Sequence, residues 1–297
     1  GGAGRRGLWR RGGGGGVKGG RGSYAPGMSF TAELRVKPGS KVELSKVDAS
    51  ATFGHGKKEA AVEEVSANQS RIAELSEMLY ADHRSALLLV FQGMDTSGKD
   101  GTIRHVLSGI DPAGCVVTSF KAPTQEELDH DYLWRIHAAV PRKGEIGVFN
   151  RSHYEDVGVV RVKGLVPEKV WRARYAEINA FERLLSDSGT VILKFFLHIS
   201  KGEQRERLLE RVNDPKKNWK MNLADLGERE RWDGYMEAYS EALTECSTKH
   251  APWYLIPSDK RWFRNLAVSR VVVETLEAMP LRYPKAGFDT KKVVVPE

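Results

Sequence analysis

Hydrophobic and polar positions divide the chain into helix-like and strand-like stretches that alternate. The first helical pattern runs from Lys57 to Ala81, where Val65, Ile72, Leu75 and Leu79 recur near the 3.6-residue period. An apolar run follows, Ala86-Leu87-Leu88-Leu89-Val90-Phe91, closed by Gln92. Its length suits a strand buried on both faces. A helix-compatible run covers Thr102 to Leu107, and Val116 to Phe120 reads as a short β-branched strand. Thr124 and Glu127 have capping-box spacing and open a helix through Trp134 to Ala139. Ile146 to Phe149 is a buried strand. Residues 167–186 form a helix with Val170, Tyr175, Ile178 and Phe181 inward. Val191 to Ile199 is another buried strand. Leu223 to Leu243 is an amphipathic helix with Trp232, Tyr235, Met236, Tyr239 and Leu243 on one face. Trp253 to Ile256 is a last strand and Arg261 to Met279 a closing helix. Strands separated by helices in this order predict an α/β fold with a parallel sheet.

The two ends lack such patterning. Residues 1–27 hold 13 of the 30 glycines and six basic side chains without an acid. This tail buries too little apolar surface to offset its ordering entropy and is expected to be disordered. It reads as an extension upstream of Met28, an arginine-rich transit segment, or a loose polyanion-binding arm. Residues 28–56 are expected to form an ordered arm with little regular structure, and 57–285 the main domain. A polar tail closes the chain at 286–297. Outside residues 1–27 the remaining 40 basic and 39 acidic side chains nearly cancel. The net charge of +7 is therefore mostly a property of the tail and does not argue for a specific nucleic-acid partner. Cys115 and Cys246 are far apart and belong to no metal-spaced cluster. They suit a reducing, cytoplasmic setting. No apolar run reaches the length of a membrane span.

Candidate chemistry concentrates where the first strand ends. Gly93-Met94-Asp95-Thr96-Ser97-Gly98-Lys99-Asp100-Gly101 has the spacing G-x-x-x-x-G-K between a strand and a helix. Such a turn aims backbone N–H groups and a helix N-terminus at one anion, and the lysine adds a mobile charge. Asp100 stands where the usual signature has Ser or Thr, and Asp95 lies inside the loop. A carboxylate among phosphate-binding amides calls for a shared cation, so Asp95 is a candidate metal or acceptor-orienting group. The strand at 146–149 leads into Asn150-Arg151-Ser152-His153-Tyr154-Glu155-Asp156. Asn150 occupies the place of the usual metal-supporting Asp, and Glu155 is a candidate to supply the missing charge. Arg151 has the fork suited to phosphate oxygens. Lys121, at the end of the 116–120 strand, is a candidate phosphate contact. His153 is expected to pack or hydrogen-bond. From Lys201 to Lys220 basic residues interleave with acids, which permits an ordinary charged face. Arg207 and Arg211, one turn apart, are the alternative: lid arginines, the lid spanning about 201–222.

Several blocks in order resemble the polyphosphate kinase 2 family. They are the Gly93–Gly101 loop, Ser119-Phe120-Lys121-Ala122-Pro123-Thr124, Asp129-His130-Asp131, Phe149 to Asp156, Lys194 to Ser200, and Ala251-Pro252-Trp253 with Ile256-Pro257. The resemblance covers about residues 40–285. It implies a three-layer α/β/α P-loop kinase-like fold with a helical lid. It further implies transfer of phosphoryl groups between inorganic polyphosphate and the adenine nucleotides AMP, ADP and ATP. It implies Mg2+ or Mn2+ at Asp95 and Glu155, and a homo-oligomer, dimer or tetramer. The phosphate cradle would be Gly93, Thr96, Ser97, Gly98, Lys99, Asp100 and Gly101, with Lys121 and Arg207. Arg151 would stabilise the transferring group and Arg211 would close from the lid. Asp95, Asn150, Arg151 and Tyr154 would face the acceptor nucleotide. The Asn150 and Glu155 pair matches the branch accepting AMP as well as ADP. Two rivals stay open: an ATP-dependent nucleoside monophosphate kinase, and a non-catalytic polyanion binder.

Overall fold

The structure is a computed structural model and describes residues 30–296. The expectations for residues 1–27 lie outside the described residues. Among the described residues five parallel strands form one sheet: β1 (Ala86–Gln92), β2 (Cys115–Ser119), β3 (Ile146–Asn150), β4 (Thr190–His198) and β5 (Trp253–Pro257). Their order is β2-β3-β1-β4-β5. β1 lies between β3 and β4, with Leu89 opposite Val148 on one side and Leu193 on the other. Every β1 side chain is buried, as its apolar run requires. β2 is an edge strand, and its Val116 and Val117 are half exposed.

The helices are α1 (Thr31–Leu34), α2 (Lys58–Asp82), α3 (Lys99–Val106), α4 (Gln125–Asp129), α5 (Trp134–Ala138), α6 (Val159–Val162), α7 (Glu168–Asp187), α8 (Lys201–Asn213), α9 (Ala224–Glu230), α10 (Trp232–Cys246) and α11 (Arg261–Ala278). Alternation along the strands separates two cores. Leu87, Leu89, Phe91, Phe195 and Leu197 face α2, α3 and α11. Leu88, Val90, Phe149, Ile192 and Phe196 face α7, α10 and the arm. The result is three layers, α/β/α, each fully buried Leu or Phe contributing about 1.5–3 kcal/mol of burial energy. The arm is tied down residue by residue. Val36 N–H donates to Trp253 O at 2.8 Å, and Val42 and Leu44 N–H groups reach the Thr244 and Ser240 hydroxyls of α10 at 3.0 Å.

Two expected helices are broken. The Thr124–Glu127 capping box forms, with both reciprocal bonds, but α4 ends at Asp129. Asp131 then starts a new segment, because its carboxylate accepts from Leu133 N–H at 3.0 Å and its carbonyl from Trp134 N–H at 3.0 Å. The stretch expected as one helix from Leu223 is α9 and α10, which meet at Arg231 where ψ is 16°. Val170 was expected inward but lies exposed on α7, whose buried stripe begins at Trp171.

Candidate active site at the end of the central strand

β1 ends against its neighbours, so the chain must leave through a tight turn. Gly93 has φ +149°, and a Cβ there would lie 2.6 Å from Leu197 O. Thr96 adopts φ +64° and Gly98 φ +99°. Ser97 N–H closes the turn on Met94 O at 3.0 Å, and Thr102 bonds Gly98 O through both N–H and hydroxyl. α3 then begins at Lys99. The Lys99 ammonium is buried and donates to Gly93 O at 2.7 Å and Met94 O at 3.3 Å. Burial and then Arg151 push its pKa down, while Asp95, Glu155 and Asp100 act the other way. The Thr96 and Ser97 hydroxyls are buried with no hydrogen-bond partner. Buried orphan hydroxyls are costly, and phosphate oxygens would satisfy them.

β3 delivers the second half of the site. Arg151 sits at φ +63°, its N–H on Phe91 O at 3.0 Å, and its guanidinium meets Asp95 Oδ1 at 3.1 Å. Asn150 bridges β2 to α3, donating to Asp100 Oδ1 at 2.5 Å and Ser119 Oγ at 3.4 Å. Glu155 lies on a 3-10 turn, His153–Asp156, and accepts from Gln92 Nε2 at 3.1 Å. The Gln92 amide oxygen, Oε1, is buried and unpartnered. Asp95, Lys99, Arg151 and Glu155 are thus brought together, from two adjacent strand ends. No group of three or more His, Cys, Asp or Glu side chains among the described residues is arranged to hold a metal. Asp95 and Glu155 are hard oxygen donors, so they fit a divalent ion whose remaining ligands are phosphate oxygens and water.

Three expected site residues sit elsewhere or otherwise. Tyr154 is not turned to an acceptor: it is 1% exposed, its hydroxyl donating to Glu182 Oε1 at 2.9 Å and accepting from Lys194 Nζ at 2.7 Å. The 3-10 turn explains this, since it sends Glu155 out and its neighbour in. Arg207 is not turned to a phosphate. It is 6% exposed and grips backbone: Thr96 O (2.8 Å) and Ser97 O (3.1 Å) with one nitrogen, Ser258 O (2.6 Å) and Asp259 O (3.1 Å) with the other. Its Nε pairs with Glu203 at 2.8 Å. Arg211 donates to Lys220 O at 3.2 Å, a bond that stays within the lid. Lys121 is exposed at the end of β2. His153 plays the expected bonding role, with Nε2 3.2 Å from Glu182 Oε1.

Other residues had not been singled out. Gln204 is buried and donates to Asp95 O at 3.2 Å, and Arg229 holds its other end at 2.9 Å. Arg264 of α11 donates to Ser97 O at 3.1 Å. The signal for Arg264 was in the helical period, which places it in line with buried Ala267, Val268 and Val271. Lys194, in the middle of the apolar strand β4, pairs with Glu182 at 2.5 Å and anchors the turn that carries Glu155. Burial raises the Glu182 pKa, but Lys194 and His153 outweigh it and hold the carboxyl low. A cavity of about 1150 Å³ lies between the arm and α10 and is not lined by the loop. Asp233, Glu237 and Glu245 line it, which disfavours a polyanion there.

A parallel sheet of order 2-3-1-4-5, with a lysine-bearing loop between its central strand and a helix, is the architecture of the P-loop kinase-like α/β class. The comparisons narrow this class. The chain belongs to the Polyphosphate kinase 2 family, whose model matches residues 55–284. It is 52% identical over 264 residues to the AMP/ADP-polyphosphate phosphotransferase of Meiothermus ruber, covering 89% of this chain and 99% of that one. It is 46% identical over 267 residues to the ADP-polyphosphate phosphotransferase of Rhodopseudomonas palustris, covering 86% and 92%. The crystal structure of Polyphosphate Kinase 2 from Arthrobacter aurescens TC1 superimposes with a TM-score of 0.85 at 45% identity, covering 88% of this chain and 94% of that one. No helix among the described residues is long and apolar enough to cross a membrane.

Proposed function

We propose that the protein is a polyphosphate-dependent nucleotide kinase that moves a phosphoryl group from inorganic polyphosphate to AMP and to ADP. The observation that carries this reading is the convergence of Lys99, Arg151, Asp95 and Glu155 around a loop whose two buried hydroxyls have no partner. Phosphoryl transfer asks a protein mainly for positioning and charge neutralisation, and this set supplies both. The loop amides and Lys99 hold the donor phosphates. Lys99 leaves the Gly93 and Met94 carbonyls to do so. Arg151 neutralises charge on the group in transit, and Asp95 sets its angle through their 3.1 Å bond. Asn150 and Glu155 distinguish the acceptor site and support use of AMP beside ADP. Mg2+, or Mn2+ in its place, would be held by Asp95 and Glu155 and would offset charge on the phosphate oxygens. Arg211 approaches from the lid, and the chain acts as a homo-oligomer.

The test is purified protein with AMP, polyphosphate and Mg2+, with ADP and then ATP followed over time. Sequential appearance of both supports the proposal. Turnover of AMP only when ATP replaces polyphosphate identifies an ordinary monophosphate kinase instead. Polyphosphate retention without any turnover identifies a binder.

A further inference from the structure

Two guanidinium groups lie beneath the phosphate loop, and they differ in one respect. Arg207 has a carboxylate partner, Glu203. Arg264 has none among the described residues: it donates to Ser97 O at 3.1 Å and to Asn265 Oδ1 at 3.1 and 3.3 Å. It is 4% exposed. Its Nη1 fills the space a Cβ on Gly98 would take, 1.9 Å from that point, and Nη2 lies 3.8 Å from the equivalent point on Gly101. The charge therefore rests against the first turn of α3, where the helix dipole is already positive. Burial, Arg207 and Arg261 push the Arg264 pKa down to about 9. The acid of that turn, Asp100, is engaged by Asn150. A buried cation without a carboxylate partner is unfavourable unless an anion compensates it.

The peptide between Ser97 and Gly98 says where that anion belongs. Its carbonyl accepts from both Arg207 and Arg264. The described residues contain no cis peptide, so the Gly98 N–H points the opposite way, out of the back of the loop and into its mouth. Hydrogen bonds in series polarise one another. We propose that Arg264 is a positioning residue for the phosphoryl donor. It acts through the Ser97–Gly98 peptide, strengthening the Gly98 N–H as a phosphate donor, and its own charge is balanced only when the loop holds a phosphate. This rests on the reading that the loop binds polyphosphate.

The experiment compares wild type with Arg264→Lys, Arg264→Gln and Arg264→Met. Inorganic polyphosphate is titrated calorimetrically, the melting temperature is taken with and without it, and kcat and KM are measured with ADP. Removing the charge weakens polyphosphate binding by about tenfold or more in the Gln and Met variants. The Lys variant recovers most of it. At saturating polyphosphate kcat stays within about threefold, because ground-state binding is what is lost. Without ligand the Met variant melts no lower than wild type, while the rise caused by polyphosphate shrinks. A merely structural Arg264 predicts the reverse: a lower melting temperature with the polyphosphate increment intact, which would overturn the proposal. If the Met variant does not fold, the Lys and Gln variants decide, since both keep a donor and only one keeps the charge. Equal polyphosphate affinity in all variants ends the proposal alone. A wild type that binds no polyphosphate ends the underlying reading with it.

Discussion

The two halves of α8 are built for different jobs. Its first turns are sewn to the phosphate loop: Gln204 holds Asp95 O, and Arg207 holds Thr96 O and Ser97 O. Past Leu208 the side chains are half-buried or exposed, and beyond the helix Trp219 is exposed as well. That far half is stitched mostly to itself, as Asn218 donates to Arg211 O and Val212 O, both at 2.7 Å. One exposed pair, Arg261 with Glu210 at 2.7 Å, reaches it from α11. Arg207 and Arg211 are one turn apart, yet one is a buried clamp on the loop and the other is half-buried and bonded to Lys220 O. The lesson is that helical spacing assigns a face but not a depth. On the proposed function, the near half keeps the loop in shape and the far half carries Arg211.

Four experiments break or sharpen this contrast. The largest effect is at the loop itself. Lys99→Ala and Asp95→Ala are expected to lower phosphoryl transfer by about 10³-fold or more, with circular dichroism and melting close to wild type. Near-normal turnover in either removes the assigned site. Next comes the pair on α8. Arg207→Ala leaves the Thr96, Ser258 and Asp259 carbonyls and Glu203 without this donor, while Ser97 O keeps Arg264, and is expected to cost about 3–5 kcal/mol in urea unfolding. Arg211→Ala, which loses the bond to Lys220 O but no contact with the loop, should cost clearly less, about 1 kcal/mol, while kcat falls on the order of 10³-fold. Equal stability losses would erase the distinction between the halves.

A third experiment concerns the turn that presents Glu155. Lys194→Met strands a buried carboxylate and should cost about 3–5 kcal/mol. The folded pKa of Glu182 is held below its ordinary 4.5, so its stabilisation is complete above that value and is lost as pH falls through the folded pKa. Removing Lys194 should therefore move the acid-unfolding midpoint upward, followed by tryptophan fluorescence. An unchanged midpoint would show that the pair does not govern acid stability. The smallest effect is ionic. Raising ionic strength from about 0.05 to 0.3 M should increase the KM for polyphosphate about threefold or more, with little change in stability. A KM indifferent to salt argues against a polyanion in the site.

Much of the layout was legible because strands covered on both sides are mostly apolar, as β1 and β4 are apart from Gln92, Lys194 and the ends of β4. Helix breaks were harder to see. The Asp131 turn competes with a helix through a side-chain bond that periodicity does not register. In the site, the loop was legible because phosphate binding needs glycines and a lysine at fixed spacing. The helical period could put Arg264 on the buried face but not against the loop, since its partner is a backbone carbonyl from a distant segment, which leaves no mark in residue identity. Tyr154 shows the opposite error. Membership in a motif with Glu155 said nothing about which of the two faced inward.

The guanidinium that fills the space above Gly98 has a consequence for how the chain can vary. Positions 98 and 264 form an epistatic pair across most of the domain's length. A methyl at 98 meets that side chain whatever else surrounds it, so single-site scans will score the glycine as immutable for two superimposed reasons, crowding and its left-handed φ. Only a landscape sampled at both positions together separates them, and a designer who wants a different loop must begin at the far helix.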